Sequence, residues 1–572
     1  MSDKRVVIDP ITRIEGHLRI EVVVDDNNVV KEAYSGSTLW RGIEQIVRNR
    51  DPRDVGFFTQ RICGVCTFSH YKAGIVAVEN ALGIKPPLNA QLTRTLMNTA
   101  LFIHDHIVHF YHLHGVDWAD VVSALQADPK KASEEAFKYT DTPYACGADK
   151  LKEVQDRVAT FAKKGNLGPF ANAYWGHPTY KLTPEQNLIV LSHYLECLRI
   201  QRIVAQMMAI FGSKNPHPQS LTVGGVTCVM DLQSPARLGE YLTKLKECQE
   251  FIDRAYYPDL VMAGRAYANE PSVVGDVGVA NLYTYREFQI GANEWLFDSG
   301  IIKNGDISKV YDVDTNKITE EATHSWYQNP APLHPYDGQT EPNYTGLIDG
   351  ESIDDKGQMA HSKIFNTKGK YSWIKSPRYD GEPLQVGPLA NIVVNYAKGN
   401  KYVVPLVDKF LADTGLPISA VFSTLGRTAT RMLEAKIVAD NTILAFNALV
   451  ENLKVDSETC AKYVIDKDKE YRGFYMGHVP RGTLSHWCRI KNGVIENWQA
   501  VVPSTWNASP KDSKGQMGSY EACLIGTKLA DLTQPLEIIR KIHSYDPCIA
   551  CAVHVMDMSG NTLSEYKINP NL

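Results

Sequence analysis

Residues 428–453, TATRMLEAKIVADNTILAFNALVENL, carry apolar side chains at helical spacing and predict one long helix. The same patterning recurs from Ala90 to Gly115, from Pro184 to Gly212 and from Ala236 to Tyr257. Several helices of more than about 20 residues imply a bundle at the core. Around it, residues 18–36, LRIEVVVDDNNVVKEAYSG, read as a β-hairpin preceded by a short strand-like stretch from Val6 to Ile8. Residues 488–502, CRIKNGVIENWQAVV, read as a second hairpin with Asn492-Gly493 at its turn. Between Ile301 and Pro377, Gly, Asp, Asn, Pro and Lys rise, and segments such as DISKVYDV suggest short strands. This region is expected as a β- and loop-rich insertion packed on the bundle. The fold class is α+β, mainly α: a long-helix bundle core with small peripheral β-sheets and hairpins.

Of the 572 residues, 44% are hydrophobic and 22% charged, so the chain can bury a large core without a metal staple. A net charge of −5 gives no reason to expect nucleic acid as a partner. No apolar h-region follows Met1-Ser2-Asp3-Lys4-Arg5, so no cleavable signal peptide is expected. No apolar run reaches the ~18 residues of a membrane-spanning helix. Of 11 cysteines, Cys146, Cys197, Cys228, Cys248, Cys460, Cys488 and Cys523 lie apart, as cysteines filling small buried sites do. The other four form two close pairs, one near each end, which argues for a metal site rather than a disulfide framework.

The first pair lies in Arg61-Ile62-Cys63-Gly64-Val65-Cys66-Thr67-Phe68-Ser69-His70 and the second in Asp546-Pro547-Cys548-Ile549-Ala550-Cys551-Ala552-Val553-His554. Two intervening residues let both sulfurs of a pair reach one ion from a tight turn. Four soft thiolates suit zinc, iron–sulfur clusters or nickel, and spacing alone does not choose among them. A structural zinc site is the ordinary reading. Against it stand the separation of the pairs by most of the chain and the extra histidines, His70 and His554.

These residues resemble the large subunit of nickel–iron hydrogenases. Both cysteine motifs match that family's patterns, and DPITRIEGH (9–17), LWRGIE (39–44), VPRG (479–482) and VPSTWN (502–507) agree in order along the chain. The resemblance implies that Cys63, Cys66, Cys548 and Cys551 bind nickel, with Cys66 and Cys551 bridging to an iron that carries carbon monoxide and cyanide. It implies heterolytic cleavage of H2 as the activity. Cys548 and Arg481 are its alternative bases, Glu15 its proton gate, and Asp105 and Asp546 the acids that hold the arginine. Ser504 and Pro480 fall at positions beside the diatomic ligands, and His70 at that of a donor to a bridging sulfur. Glu44, the carbonyl of Ala500 and His554 match a magnesium site, which iron could occupy instead. His104, His106, His109, His112 and His114 crowd one helix; packing and hydrogen bonding are expected of them rather than metal binding.

The resemblance further implies that a maturation endopeptidase cuts after His554, leaving 1–554 as one interwoven catalytic subunit and removing 555–572. With no third cysteine cluster and no dinucleotide fingerprint, the electrons need a partner, and the resemblance implies an iron–sulfur small subunit, then a membrane cytochrome b and quinones. Export with that subunit to the periplasmic side of the cell membrane is expected, as in the membrane-associated uptake type. The rival readings are a regulatory H2 sensor, a zinc-binding interaction protein, and the related subunit of respiratory complex I, which lacks the nickel ligands.

Overall fold

In the computed structural model, which describes residues 3–552 apart from 166, 172, 272, 275 and 276, the 428–453 stretch lies within one unbroken helix, Thr424–Leu453. Its start is set by Ser423, whose hydroxyl accepts the Gly426 N–H. Five helices frame the core: α1 (Thr67–Leu82), α2 (Leu88–Val108), α3 (Pro184–Gly212), α4 (Pro235–Phe251) and α5 (Thr424–Leu453). Helix α2 packs against both α5 and α3, and α3 against α4. The main core is built from their apolar faces. Helix α3 begins where the sequence places it, because Thr183 and Gln186 form a reciprocal capping box around Pro184.

Two predicted helices continue differently. After α2 the chain widens into a π turn, His109–His114, and then a 3₁₀ turn, Gly115–Asp117. After α4 a π turn, Ile252–Tyr256, precedes the helix Tyr257–Tyr267. Pro258 in its first turn lacks an N–H and would clash with a regular preceding turn, and the wider turn accommodates it.

The first hairpin gains a third member. Strands β1 (Lys4–Ile8), β2 (Leu18–Val24) and β3 (Val30–Ser37) form an antiparallel sheet in that order. The Asp25 carboxylate caps its turn by accepting the N–H groups of Asn27 and Val29. The second hairpin also becomes a three-stranded sheet: β4 (Tyr471–Val479), β5 (Gly482–Lys491) and β6 (Val494–Val501). Asn492 and Gly493 both take positive φ, as a two-residue hairpin turn demands. Helix α1 lies on β4 and β5. Gly473 permits that approach, since a Cβ there would meet the Ala81 nitrogen at 2.2 Å.

Residues 301–377 hold short strand pairs, including Ile348–Ile353 with Met359–Ile364. Their buried aromatics do not rest on the helix bundle. Trp326, Tyr327 and Trp373 instead share a second core with β1–β3 and with Ile538, Ile542 and Tyr545 near the C-terminus. Helical patterning is visible locally, whereas the surface an irregular insertion covers depends on distant side chains. Among the described residues, no helix is long and apolar enough to cross a membrane.

Candidate metal centre

Cys63 follows a 3₁₀ turn, Gln60–Ile62, and Cys66 is the N-cap residue of α1. Helix α1 thus directs its positive end at this loop, and the Cys63 sulfur also accepts the N–H groups of Val65 and Cys66 at 3.2 and 3.1 Å. Both effects favour a thiolate. From the other end of the chain, Asp546 takes a left-handed φ of 55°, turning the backbone just before Cys548. The Cys548 sulfur lies 3.2 Å from that of Cys63 and 3.8 Å from that of Cys66. These three sulfurs, all within 4.8 Å of one another, are almost wholly screened from solvent. Three converging soft donors in a dry pocket suit a soft transition metal. The Cys551 side chain and His554 lie outside the described residues.

The DPITRIEGH loop runs beside the second pair. The Glu15 carbonyl accepts the Ile549 N–H at 2.8 Å, and the Glu15 carboxylate accepts the Ala550 N–H at 2.9 Å. The same carboxylate oxygen is 3.3 Å from the Cys548 sulfur. Burial, then the charge of Cys63, push the Glu15 carboxyl up to about 7 against the hydrogen bonds from Cys548 and Ala550. Gly16 makes this approach possible: at φ +84°, a Cβ would fall 2.3 Å from the Ala550 nitrogen. Gly16→Ala is expected to destabilise the chain, with roughly 1 kcal/mol from backbone strain alone. It should also lower nickel content, measured beside thermal unfolding. Wild-type nickel with only a lowered melting point would separate the loop from metal assembly.

Pro480 and Arg481 form the tight turn between β4 and β5, where Val479 pairs with Gly482. The turn projects the Arg481 guanidinium to Asp105 on α2 at 2.7 Å and to Asp546 at 3.1 Å. Burial opposes its charge, but Asp546, Cys548, Asp105 and Cys66 outweigh that and hold it protonated. Asp105, though buried, is kept below the usual carboxylate range by Arg481. In Asp546 burial wins over Arg481 and Arg431, and its carboxyl is raised. Ser504 accepts the Cys548 N–H at 3.1 Å. His70 Nδ1 lies 3.1 Å from His486 Nε2, and burial lowers the His70 imidazole to about 4.

Two arginines without a predicted role organise the site. Arg41 donates to the carbonyls of Arg61, Ile62 and Ala550, tying both cysteine loops together. Its place in LWRGIE was the available signal. Arg431, wholly buried on α5, donates to the carbonyls of Pro480 at 3.1 Å and Ser544 at 3.2 Å. A charged residue among apolar helix positions hinted at it.

Glu44 and Ala500 meet elsewhere. The Glu44 carboxylate accepts the Ala500 N–H at 2.9 Å and the Thr340 hydroxyl, with the Lys375 ammonium 3.8 Å away. The histidines of the α2 region are hydrogen-bonded: His104 to Asp105, His106 to Glu434, His109 to the His543 carbonyl and His112 to the Tyr194 carbonyl. His114, Asp117 and His543 lie close enough to share an ion, but the Asp117 carboxylate already accepts from Arg13, His114 and His543.

Comparison with known proteins agrees with this geometry. The family model of the nickel-dependent hydrogenases matches residues 41–554, and a HoxL-like model matches residues 5–35. The chain is 64% identical to the quinone-reactive Ni/Fe-hydrogenase large chain of Wolinella succinogenes, over 99% of this chain and 98% of that one. It is 44% identical to the uptake hydrogenase large subunit of Rhizobium leguminosarum bv. viciae, over the same shares. Among solved structures, the Ni-Fe-Se hydrogenase of D. vulgaris Hildenborough in its as-isolated oxidised state superimposes with a TM-score of 0.77 at 30% identity, covering 97% of this chain and 100% of that chain. Three thiols drawn together from the two ends of the chain, beneath a buried arginine, thus sit in a protein that belongs to the nickel-dependent hydrogenase family.

Proposed function

We propose that the chain is the H2-cleaving large subunit of a quinone-linked uptake hydrogenase, with its Ni–Fe centre held by Cys63, Cys66, Cys548 and Cys551. The convergence of the Cys63, Cys66 and Cys548 sulfurs beside Glu15 and Arg481 carries this reading. When bound, the centre supplies electron-rich metal ions at which H2 is polarised, with carbon monoxide and cyanide completing the iron.

The chain's own groups handle the proton. Cys548 is the thiolate placed to accept it, and the Glu15 carboxylate oxygen 3.3 Å away is placed to relay it outward. Arg481, fixed by Asp105 and Asp546, supplies fixed positive charge over the sulfurs and remains the alternative base. Pro480 sets the backbone that aims it. Ser504, anchored on the Cys548 N–H, is assigned to a cyanide ligand, and His70 to a bridging sulfur.

A second ion, magnesium or iron, is assigned to Glu44, the Ala500 carbonyl and His554; the Glu44 carboxylate is a donor of the hard type magnesium takes. The end of the family match at residue 554 supports 1–554 as the mature subunit and cleavage of 555–572 by an endopeptidase. The names of the relatives, a large chain and large subunits, support an iron–sulfur small subunit as partner. The quinone-reactive hydrogenase among the relatives supports quinone as the electron acceptor, and a membrane cytochrome b and a periplasmic, membrane-associated complex are assigned with it.

The test is to purify the complex from its own host without oxygen and measure nickel, iron and zinc per chain. Nickel near one per chain is expected, falling to background in Cys548→Ser. Zinc in its place would overturn the assignment, as would unchanged nickel in that variant.

A further inference from the structure

Cys146 was read above as a filler of buried space, but its surroundings are those of an activated nucleophile. Its sulfur lies 3.3 Å from Nε2 of His193 on α3. The other ring nitrogen, Nδ1, lies 2.7 Å from the Asp259 carboxylate, which also accepts the Tyr111 hydroxyl at 2.7 Å. Nε2 further meets the Tyr144 carbonyl at 2.8 Å. A carbonyl and a carboxylate both require a proton on the nitrogen that faces them, so this geometry fits a doubly protonated imidazolium. Burial opposes that charge, but Asp259 and then Cys146 outweigh it and hold the imidazole well above its usual range. Cys146 also immediately precedes Gly147, the N-cap of the helix Ala148–Lys163.

Burial pushes Cys228, Cys248 and Cys488 up to about 12, and Cys197 well above its usual range. Cys146 is 3% exposed, yet it sits in a surface loop between half-buried Ala145 and exposed Gly147, one residue beneath solvent.

We propose that Cys146, His193 and Asp259 form a thiolate–imidazolium site that reacts with small hydroperoxides, a modification site separate from the metal-binding cysteines. The Cys146 sulfur attacks one peroxide oxygen; the S–O bond forms as the O–O bond breaks. Sulfur loses two electrons to the peroxide, and the leaving hydroxide or alkoxide takes the Nε2 proton of His193 and departs as water or alcohol. Asp259 keeps the ring aligned throughout, and Cys146 remains as a sulfenic acid that an external thiol can reduce.

The native holoenzyme, prepared without oxygen, is exposed to substoichiometric hydrogen peroxide. Sulfenic acid is trapped with a cyclic 1,3-dione and located by peptide mapping. Iodoacetamide alkylation of each cysteine is followed in parallel as a function of pH. The adduct is expected on Cys146 and absent from Cys146→Ser, whose H2 oxidation is unchanged. Near neutral pH, Cys146 should alkylate about tenfold faster than half-buried Cys460, because an unactivated thiol is only a few per cent thiolate there. His193→Gln should erase that advantage in enzyme that still oxidises H2. Should His193→Gln fail to assemble, the wild-type protein decides: a dione adduct on Cys146 together with faster alkylation there than at Cys460 supports the site. Absence of the dione adduct at Cys146, alkylation no faster than that of Cys460, or an unchanged rate in active His193→Gln would each overturn it.

Discussion

Arg481→Ala is expected to lower H2 oxidation by about a hundredfold or more, the usual cost of removing a preorganised charged donor from a dry site. Stability should fall as well. Asp105 and Asp546 would be left buried without the guanidinium that bridges them, and breaking such a network costs about 3–5 kcal/mol. The informative companion is Arg481→Lys. An ammonium keeps the charge but lacks the planar fork that reaches Asp105 with one nitrogen and Asp546 with the other. It should recover much of the thermal stability and little of the turnover. Assays with an artificial electron acceptor, normalised to nickel content, separate the two effects. Wild-type turnover in Arg481→Lys would remove the geometric part of the argument and leave only charge.

Glu15→Gln should be as costly to turnover and much gentler on the fold. The amide oxygen can still accept the Ala550 N–H, so the junction between the two termini survives. What disappears is a group able to take a proton from the Cys548 sulfur and release it near neutral pH. Losing a positioned proton carrier typically costs 10²- to 10⁴-fold, and a fall of about that size is expected at unchanged nickel. Glu15→Asp should fall in between, retaining the acid but shortening its reach. Nickel lost in proportion to activity in Glu15→Gln would make Glu15 a clamp on the C-terminal loop rather than a relay.

Much of the site was legible because its chemistry is packed into short motifs. Each Cys-x-x-Cys pair declares soft ligands by residue type and spacing. DPITRIEGH, VPRG and VPSTWN name Glu15, Arg481 and Ser504 once the resemblance is seen. The long helices were equally plain, since periodicity is a local property; α3 runs over the predicted residues because its capping box is local too. Less legible was everything decided at long range. The insertion at 301–377 was expected on the bundle, but Trp326 and Trp373 found their partners in the N-terminal sheet. Val6–Ile8 was already strand-like in the sequence, but the pairing of Lys4–Ile8 with β2 was decided by the edge β2 offered it. The place of Arg41 in LWRGIE and the charge of Arg431 among apolar helix positions mark both residues without naming their role, because each acts on backbone carbonyls that any residue could supply.

By itself, the sequence determined the inventory: four thiols in two pairs, a carboxylate in Glu15, a guanidinium after a proline, and the helices that bear them. The tertiary structure decided which of these meet. It brought Cys63 and Cys548 within 3.2 Å across nearly the whole chain, and put Arg481 at a hairpin tip between two acids. It also placed Cys146 beside His193, a pairing with no sequence signature. The physical reason is common to all of them. Residue type sets what a side chain can do, but distance and burial set its charge and reactivity, and both come from packing among segments far apart in the chain.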